Sequence, residues 1–281
     1  MYSLNDLLEI ANPIRAFGKT YNVTSHPDEV LQILSQDQGR FIRAYAYNTV
    51  NRAILAPVLV NFHGSRFVNP LHGMTTSPAN TSKQIPRPAS VNDAENAVRW
   101  VLSHPEKFDA SRLSISGFSA GGLLSLALSS VAFPQGTFKN VLTAYPPTDM
   151  TQESLEKVAP DTSIDPAPVE LLDVFIQCYY PNPEDVKSFL ASQAVIPAEK
   201  FSDRVFIVTT ASCDRIALAC DRFCLEGEAL GYRIRNETAK HVKMHRYDGC
   251  EHAFDKAYKK GSVQERAKDD FYERTAAFLA E

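Results

Sequence analysis

Residues 114–122 read SISGFSAGG, with glycine two residues to either side of Ser119 and an apolar run just before it. Gly117-Phe118-Ser119-Ala120-Gly121 fits G-x-S-x-G. The chemistry of that pattern needs a sharp turn from strand to helix, a strained serine, and neighbours without side chains that would collide. The flanks supply the context: RLSIS (112–116) reads as a buried strand and LLSLALSSV (123–131) as a helix. Ser119 then stands at a helix N-terminus, where free N–H groups and the helix dipole favour developing negative charge. The bland alternative is a serine at a tight turn.

Working outward, PVLVNF (57–62), NVLTAY (140–145), RVFIVTT (204–210) and HVKMHRY (241–247) are apolar runs of the buried-strand kind, and GRFIRAYAY (39–47) alternates like a strand. Helical patterns separate them. In NDAENAVRWVLSH (92–104), Asn92 can cap and Glu95 is its capping-box partner. RIALACDRFCLEGEALG (215–231) turns Ile216, Cys220, Phe223 and Leu230 inward and stops at Gly231, and VQERAKDDFYERTAAFL (263–279) closes the chain. LNDLLEIANPIRAF (4–17) and PDEVLQILSQ (27–36) also read as helical. Strands alternating with helices predict a mainly parallel sheet with helices on both faces, in one α/β domain over residues 1–281. Residues 146–200 are rich in proline and carry no strand pattern, so they, with residues 1–38, are expected to form a helical cap. In that stretch Phe175, Tyr179 and Tyr180 share a helix face, expected to pack within the cap.

The chain has 281 residues and a net charge of −4, with scattered Lys and Arg, which gives no footprint for nucleic acid. No apolar run is long enough to span a bilayer, and MYSLNDLLEI lacks the basic and apolar parts of a leader, so a cytoplasmic location is expected. Five cysteines in no framework spacing fit a reducing compartment. Cys220 and Cys224 read as small apolar residues one helical turn apart rather than metal ligands, and neither metal nor cofactor is expected. Without a leader the sequons at Asn22, Asn80 and Asn236 are expected to be idle.

A serine hydroxyl needs a base, and the base a carboxylate to hold its tautomer. Asp214 follows the run RVFIVTT and His252 the run HVKMHRY, both at strand carboxyl ends, where open α/β sheets keep their functional groups. Asp221 is the competing acid, within the predicted helix. His63 ends PVLVNF and opens a turn where backbone N–H groups can form an oxyanion hole; Gly64, Ser65 and Ala120 are the candidate donors. His26, His72, His104, His241 and His245 lack such placement and read as surface or capping residues. Arg66, Phe67, Phe118 and Phe254 adjoin these motifs and are the candidate substrate contacts.

NFHGSRF, GFSAGG, CDRIALACDRF and DGCEHAF together resemble the hormone-sensitive-lipase-like branch of the α/β-hydrolase family, especially esterase-like proteins of fungal type. The likeness runs from about residue 38 to the C-terminus. It implies an α/β-hydrolase fold, a cap over an acyl pocket, no cofactor, and serine hydrolysis of small to medium carboxylic esters by Ser119, Asp214 and His252. Three departures stand out. Ser65 and Arg66 replace glycines of the family's His-Gly-Gly-Gly loop, and Leu123 stands where an asparagine is usual. The region between residues 68 and 90 has no strand-like run, although the family places there a strand that lies between the second and third of the sheet. Its loss leaves an exposed edge or forces GRFIRAYAY to pair with PVLVNF; a natural deletion, a homodimer covering the edge and a dropped exon are the explanations. Acyl transfer or cyclisation, and ligand binding on a hydrolase scaffold, are the competing functions.

Overall fold

The computed structural model describes residues 26–37, 39–48, 55–64, 87–154, 156–157, 160, 173, 176–177, 179–180, 182–211, 213–214, 219–220, 222–256 and 258–281. In chain order they form β1 (Glu29–Leu34), β2 (Phe41–Ala46), β3 (Pro57–Phe62), α1 (Arg87–Leu102), β4 (Asp109–Phe118), α2 (Ala120–Ala127), β5 (Val141–Ala144), β6 (Arg204–Thr210), β7 (Cys213–Asp214), β8 (Ala219–Cys220), α3 (Cys224–Glu237), β9 (His241–Tyr247) and α4 (Val263–Ala280). The centre is a five-stranded parallel sheet in the order β3-β4-β5-β6-β9. Its inner strands β5 and β6 are near-continuous buried runs because both of their faces are covered. On one face Leu113, Ile115, Val141, Val205 and Ile207 pack with Val98 of α1, Leu124 of α2 and Leu230 and Ile234 of α3. On the other, Leu142, Ala144, Phe206 and Val208 meet Phe271 and Phe278 of α4. This is the α/β-hydrolase fold the sequence predicts.

Four local expectations are corrected. Residues 27–36 were expected to be helical, but β1 pairs antiparallel with β2 in a separate hairpin. Val30, Leu31, Ile33 and Leu34 suit either state over so short a run, and the partner strand decides it. Helix α1 starts at Arg87, so Asn92 and Glu95 lie inside it rather than at its cap, and Glu95 pairs with Arg99 one turn on. The buried carboxylate of its neighbour Asp93 accepts from Ser35 Oγ at 2.7 Å and from Arg40, tying the hairpin to the helix. Finally, residues 219–220 are strand and the helix runs from Cys224 to Glu237, so Cys220 is not on it, Phe223 is its N-cap and Gly231 is interior. A Cβ on Gly231 would stand 2.6 Å from Met244 Sδ: that glycine serves helix-to-strand packing, not termination.

Among the described residues β3 is an end strand of the five-stranded sheet, and GRFIRAYAY pairs with β1 rather than with PVLVNF. Most of the 68–90 stretch lies outside the described residues; residues 87–90 begin α1. Within 146–200 the described residues form short 3-10 turns at Pro183–Lys187, Gln193–Val195 and Ala198–Lys200 and contain no strand. Tyr179 and Tyr180 are buried against Leu123 and Met150, which gives Leu123 an apolar role of its own; Phe175 lies outside the described residues.

Candidate active site

Ser119 sits between the last residue of β4 and the first of α2 with φ 53 and ψ −121, a conformation costing about 1–3 kcal/mol in a residue with a Cβ. The turn is held from both sides. The Ser119 N–H donates to Ala144 O at 2.9 Å, and Ser119 O accepts from the Gly122 N–H at 2.8 Å. The flanking glycines are demanded by contact: a Cβ at Gly117 would lie 2.0 Å from Gly121 O, and one at Gly121 would lie 2.2 Å from Phe62 O. The motif therefore lets β4, α2 and the end of β3 meet.

His252 lies in the turn after β9, and its Nε2 is 2.9 Å from Ser119 Oγ. The following residue, Ala253, has φ 63. Two aromatic rings flank the imidazole: Tyr145 at 4.6 Å between centroids and Phe223 at 5.7 Å. Tyr145 follows β5, has φ 42, and donates its phenol proton to Asp255 Oδ1 at 2.6 Å. The buried Asp255 carboxylate also accepts from Tyr272 at 3.2 Å and pairs with Lys256 at 2.6 Å. Burial opposes the Lys256 charge, but Asp255 outweighs it and raises the lysine pKa.

Behind Phe223 stands a second buried pair. The Lys157 ammonium is 5.3 Å from the Phe223 centroid and bridges to Glu226 in the first turn of α3. Glu226 Oε1 accepts from the N–H groups of Thr148 (2.6 Å) and Asp149 (3.2 Å), and Arg222 donates to Lys157 O. Burial pushes the Glu226 carboxyl up to about 6 against the pull of Lys157. The start of the 146–200 stretch is thus fastened to the element that presents Phe223 to His252.

The other expected residues fare differently. Gly64 is against the serine, since a Cβ built on it would stand 3.2 Å from Ser119 Cβ, and Ala120 is the first residue of α2, where N–H groups have no partner within the helix. His63 Nδ1 is 3.1 Å from Gly64 O, within the turn. Ser65, Arg66, Phe67 and Asp221 lie outside the described residues. The backbone of Asp214 is in β7, paired with Ala219, directly after β6. Phe118 and Phe254 are buried core residues, both packed on Phe271 of α4. Among the described residues no cluster of three His, Cys, Asp or Glu could hold a metal, and no helix is long and apolar enough to cross a membrane. Tyr145, Phe223 and the Lys157–Glu226 pair were not singled out from sequence for the site. Tyr145 carried a usable signal, since it stands at a strand carboxyl end like Asp214 and His252.

A parallel sheet with a strained serine at a strand-to-helix turn, and an imidazole in hydrogen-bond reach from the loop after the last strand, is the architecture of an α/β hydrolase. The chain belongs to that family: a family model described as alpha/beta hydrolase fold matches residues 81–256. No curated protein sequence matches it. Solved structures similar to it include an esterase of Pyrobaculum calidifontis (20% identity, 98% of this chain and 93% of that one, TM-score 0.73). Another is brefeldin A esterase, described as a bacterial homologue of human hormone-sensitive lipase (18% identity, 99% and 86%, TM-score 0.73). A third is carboxyl esterase 2 from the mycorrhizal fungus Tuber melanosporum (20% identity, 90% and 87%, TM-score 0.67).

Proposed function

We propose that this protein is a serine hydrolase that cleaves carboxylic esters of small to medium apolar substrates. The carrying observation is the 2.9 Å approach of His252 Nε2 to Ser119 Oγ at a strained turn. Ser119 Oγ attacks the ester carbonyl as His252 Nε2 takes its proton. The backbone N–H groups of Gly64, Ser65 and Ala120 receive the tetrahedral oxyanion, next to the α2 N-terminus. His252 returns the proton to the departing alkoxide, leaving an acyl-enzyme, and then deprotonates the water that releases the acid. Asp214 fixes the imidazole tautomer, Arg66 and Phe67 adjoin the acyl group, and residues 146–200 cover it. The esterase names of the structural neighbours support this class of substrate.

The test is hydrolysis of a short-chain p-nitrophenyl ester together with labelling by a fluorophosphonate. Wild type should turn over and label, and Ser119→Ala should do neither. Equal rates in the two proteins would overturn the proposal.

A further inference from the structure

Of the two described rings that flank the His252 imidazole, one remains accessible. Tyr145 is 1% exposed, and its phenol is bonded to Asp255. Phe223 is partly exposed, with its ring centroid 5.7 Å from that of the imidazole and the two planes at 68°.

Phe223 is also held firmly. It is the N-cap of α3, where its carbonyl accepts from the Gly227 N–H at 3.0 Å. The Lys157 ammonium stands 5.3 Å from its centroid and is itself fixed by Glu226 and by Asp149 O. Arg222, the residue before it, donates to the carbonyls of Ser154 and Lys157. A ring clamped in this way is a preorganised apolar wall, so little has to be ordered when a ligand lies on it.

On the hydrolytic reading, on which this inference rests, His252 Nε2 hands the Ser119 proton to the departing alkoxide. The alcohol oxygen of the ester therefore comes within about 2.6–3.2 Å of Nε2. Whatever that oxygen carries lies beside the imidazole and meets the accessible flanking ring. The acyl chain has no such tie, because it hangs on the carbonyl carbon bonded to Ser119 Oγ.

We infer that Phe223 is a specificity-determining residue for the alcohol half of the ester, and that the preferred substrates carry an aromatic ring there. Edge-to-face packing on Phe223 favours an aryl group over a short alkyl one by about 3–10-fold.

The experiment compares three esters by kcat/KM. Benzyl acetate and ethyl acetate share an acyl group, whereas ethyl butyrate and ethyl acetate share an alcohol. Phe223→Leu keeps apolar bulk and removes the ring, and the ratio of benzyl to ethyl acetate should fall by about 3–10-fold. The ratio of ethyl butyrate to ethyl acetate should stay within about twofold. Phe223→Met, a second variant without a ring, should show the same pattern, and circular dichroism checks that each is folded. A loosened imidazole would lower all three rates together and cancel from both ratios, so a merely structural role would leave them unmoved. An unchanged ratio of benzyl to ethyl acetate in the folded variants, or a change confined to the acyl pair, would overturn this inference alone. A wild-type protein that hydrolyses none of the esters and takes up no fluorophosphonate would overturn the hydrolytic reading, and this inference with it.

Discussion

The ring of Tyr145 stands 4.6 Å from the imidazole of His252 while its phenol is bonded to Asp255, three residues further along the chain from that imidazole. The end of β5 and the turn after β9 are therefore locked to each other twice, once through packing and once through a buried hydrogen bond. Tyr145→Phe keeps the packing and removes the bond, and Asp255 retains Tyr272 and Lys256 as partners. The expected outcome is a loss of about 1–2 kcal/mol in urea unfolding with kcat changed less than about threefold. Tyr145→Ala removes the wall beside the imidazole and should lower kcat by roughly 10–100-fold, as a small misplacement of a base does. A Tyr145→Ala protein with wild-type kcat would show that the wall is dispensable.

The strain at Ser119 predicts a separation of stability from activity. Ser119→Ala keeps a Cβ at φ 53, whereas Ser119→Gly releases it. Both variants should be inactive. After allowance for the greater unfolded-state freedom of glycine, the glycine variant should be more stable than the alanine variant by about 1 kcal/mol. Denaturant melts of the two, which both lack the hydroxyl bonded to His252, isolate the backbone contribution.

Much of the fold was legible because buried parallel strands leave an unambiguous trace. The runs 57–62, 204–210 and 241–247 match β3, β6 and β9 residue for residue; β6 is buried on both faces, whereas the end strands β3 and β9 keep exposed positions such as Leu59 and Arg246. Residues 27–36 were misread because their apolar spacing is neutral, and the strand exists through its pairing with residues 41–46. Residues 215–231 were misread because apolar residues at helical spacing extend back past Phe223, although the chain first makes the ladder of β7 and β8. Ser119 and His252 were legible from a motif and a strand end. The flanking Tyr145 and Phe223 were not, because what they touch is set by how β5, α3 and the turn after β9 meet in space.

The choice between Asp214 and Asp221 as the acid is open to a direct comparison. Asp214 lies in β7, just beyond the carboxyl end of β6, as His252 lies just beyond that of β9. Asp214→Asn should cost on the order of 10⁴-fold in kcat through the wrong imidazole tautomer, while Asp221→Asn should stay within about threefold. Steady-state kinetics at saturating ester would decide it, and the reverse pattern would move the role to Asp221.

Glu226 should give the protein a distinctive pH dependence. Its carboxyl is pushed up to about 6 by burial, against an ordinary value of 4.5. Between these values the native state binds more protons at this site than the unfolded state, so the stability contribution falls as pH rises. It is fully present below about 4.5, is lost progressively through about 6, and amounts to roughly 2 kcal/mol, since each pKa unit is worth about 1.4 kcal/mol. Glu226→Gln removes the titration. It also leaves the Lys157 ammonium buried without its anion, so the variant should be the less stable protein at pH 7. The stability of wild type minus that of Glu226→Gln, taken from urea melts at intervals from pH 4 to 7.5, should decrease by about this amount with its midpoint between 4.5 and 6. A flat difference across that range would mean that Glu226 keeps an ordinary pKa. Because the same carboxylate holds the Thr148 and Asp149 N–H groups and pairs with the ammonium behind Phe223, the variant should also loosen the packing on His252. Its kcat at pH 7.5 should fall several-fold, and Glu226→Asp, which keeps the charge, should recover part of it.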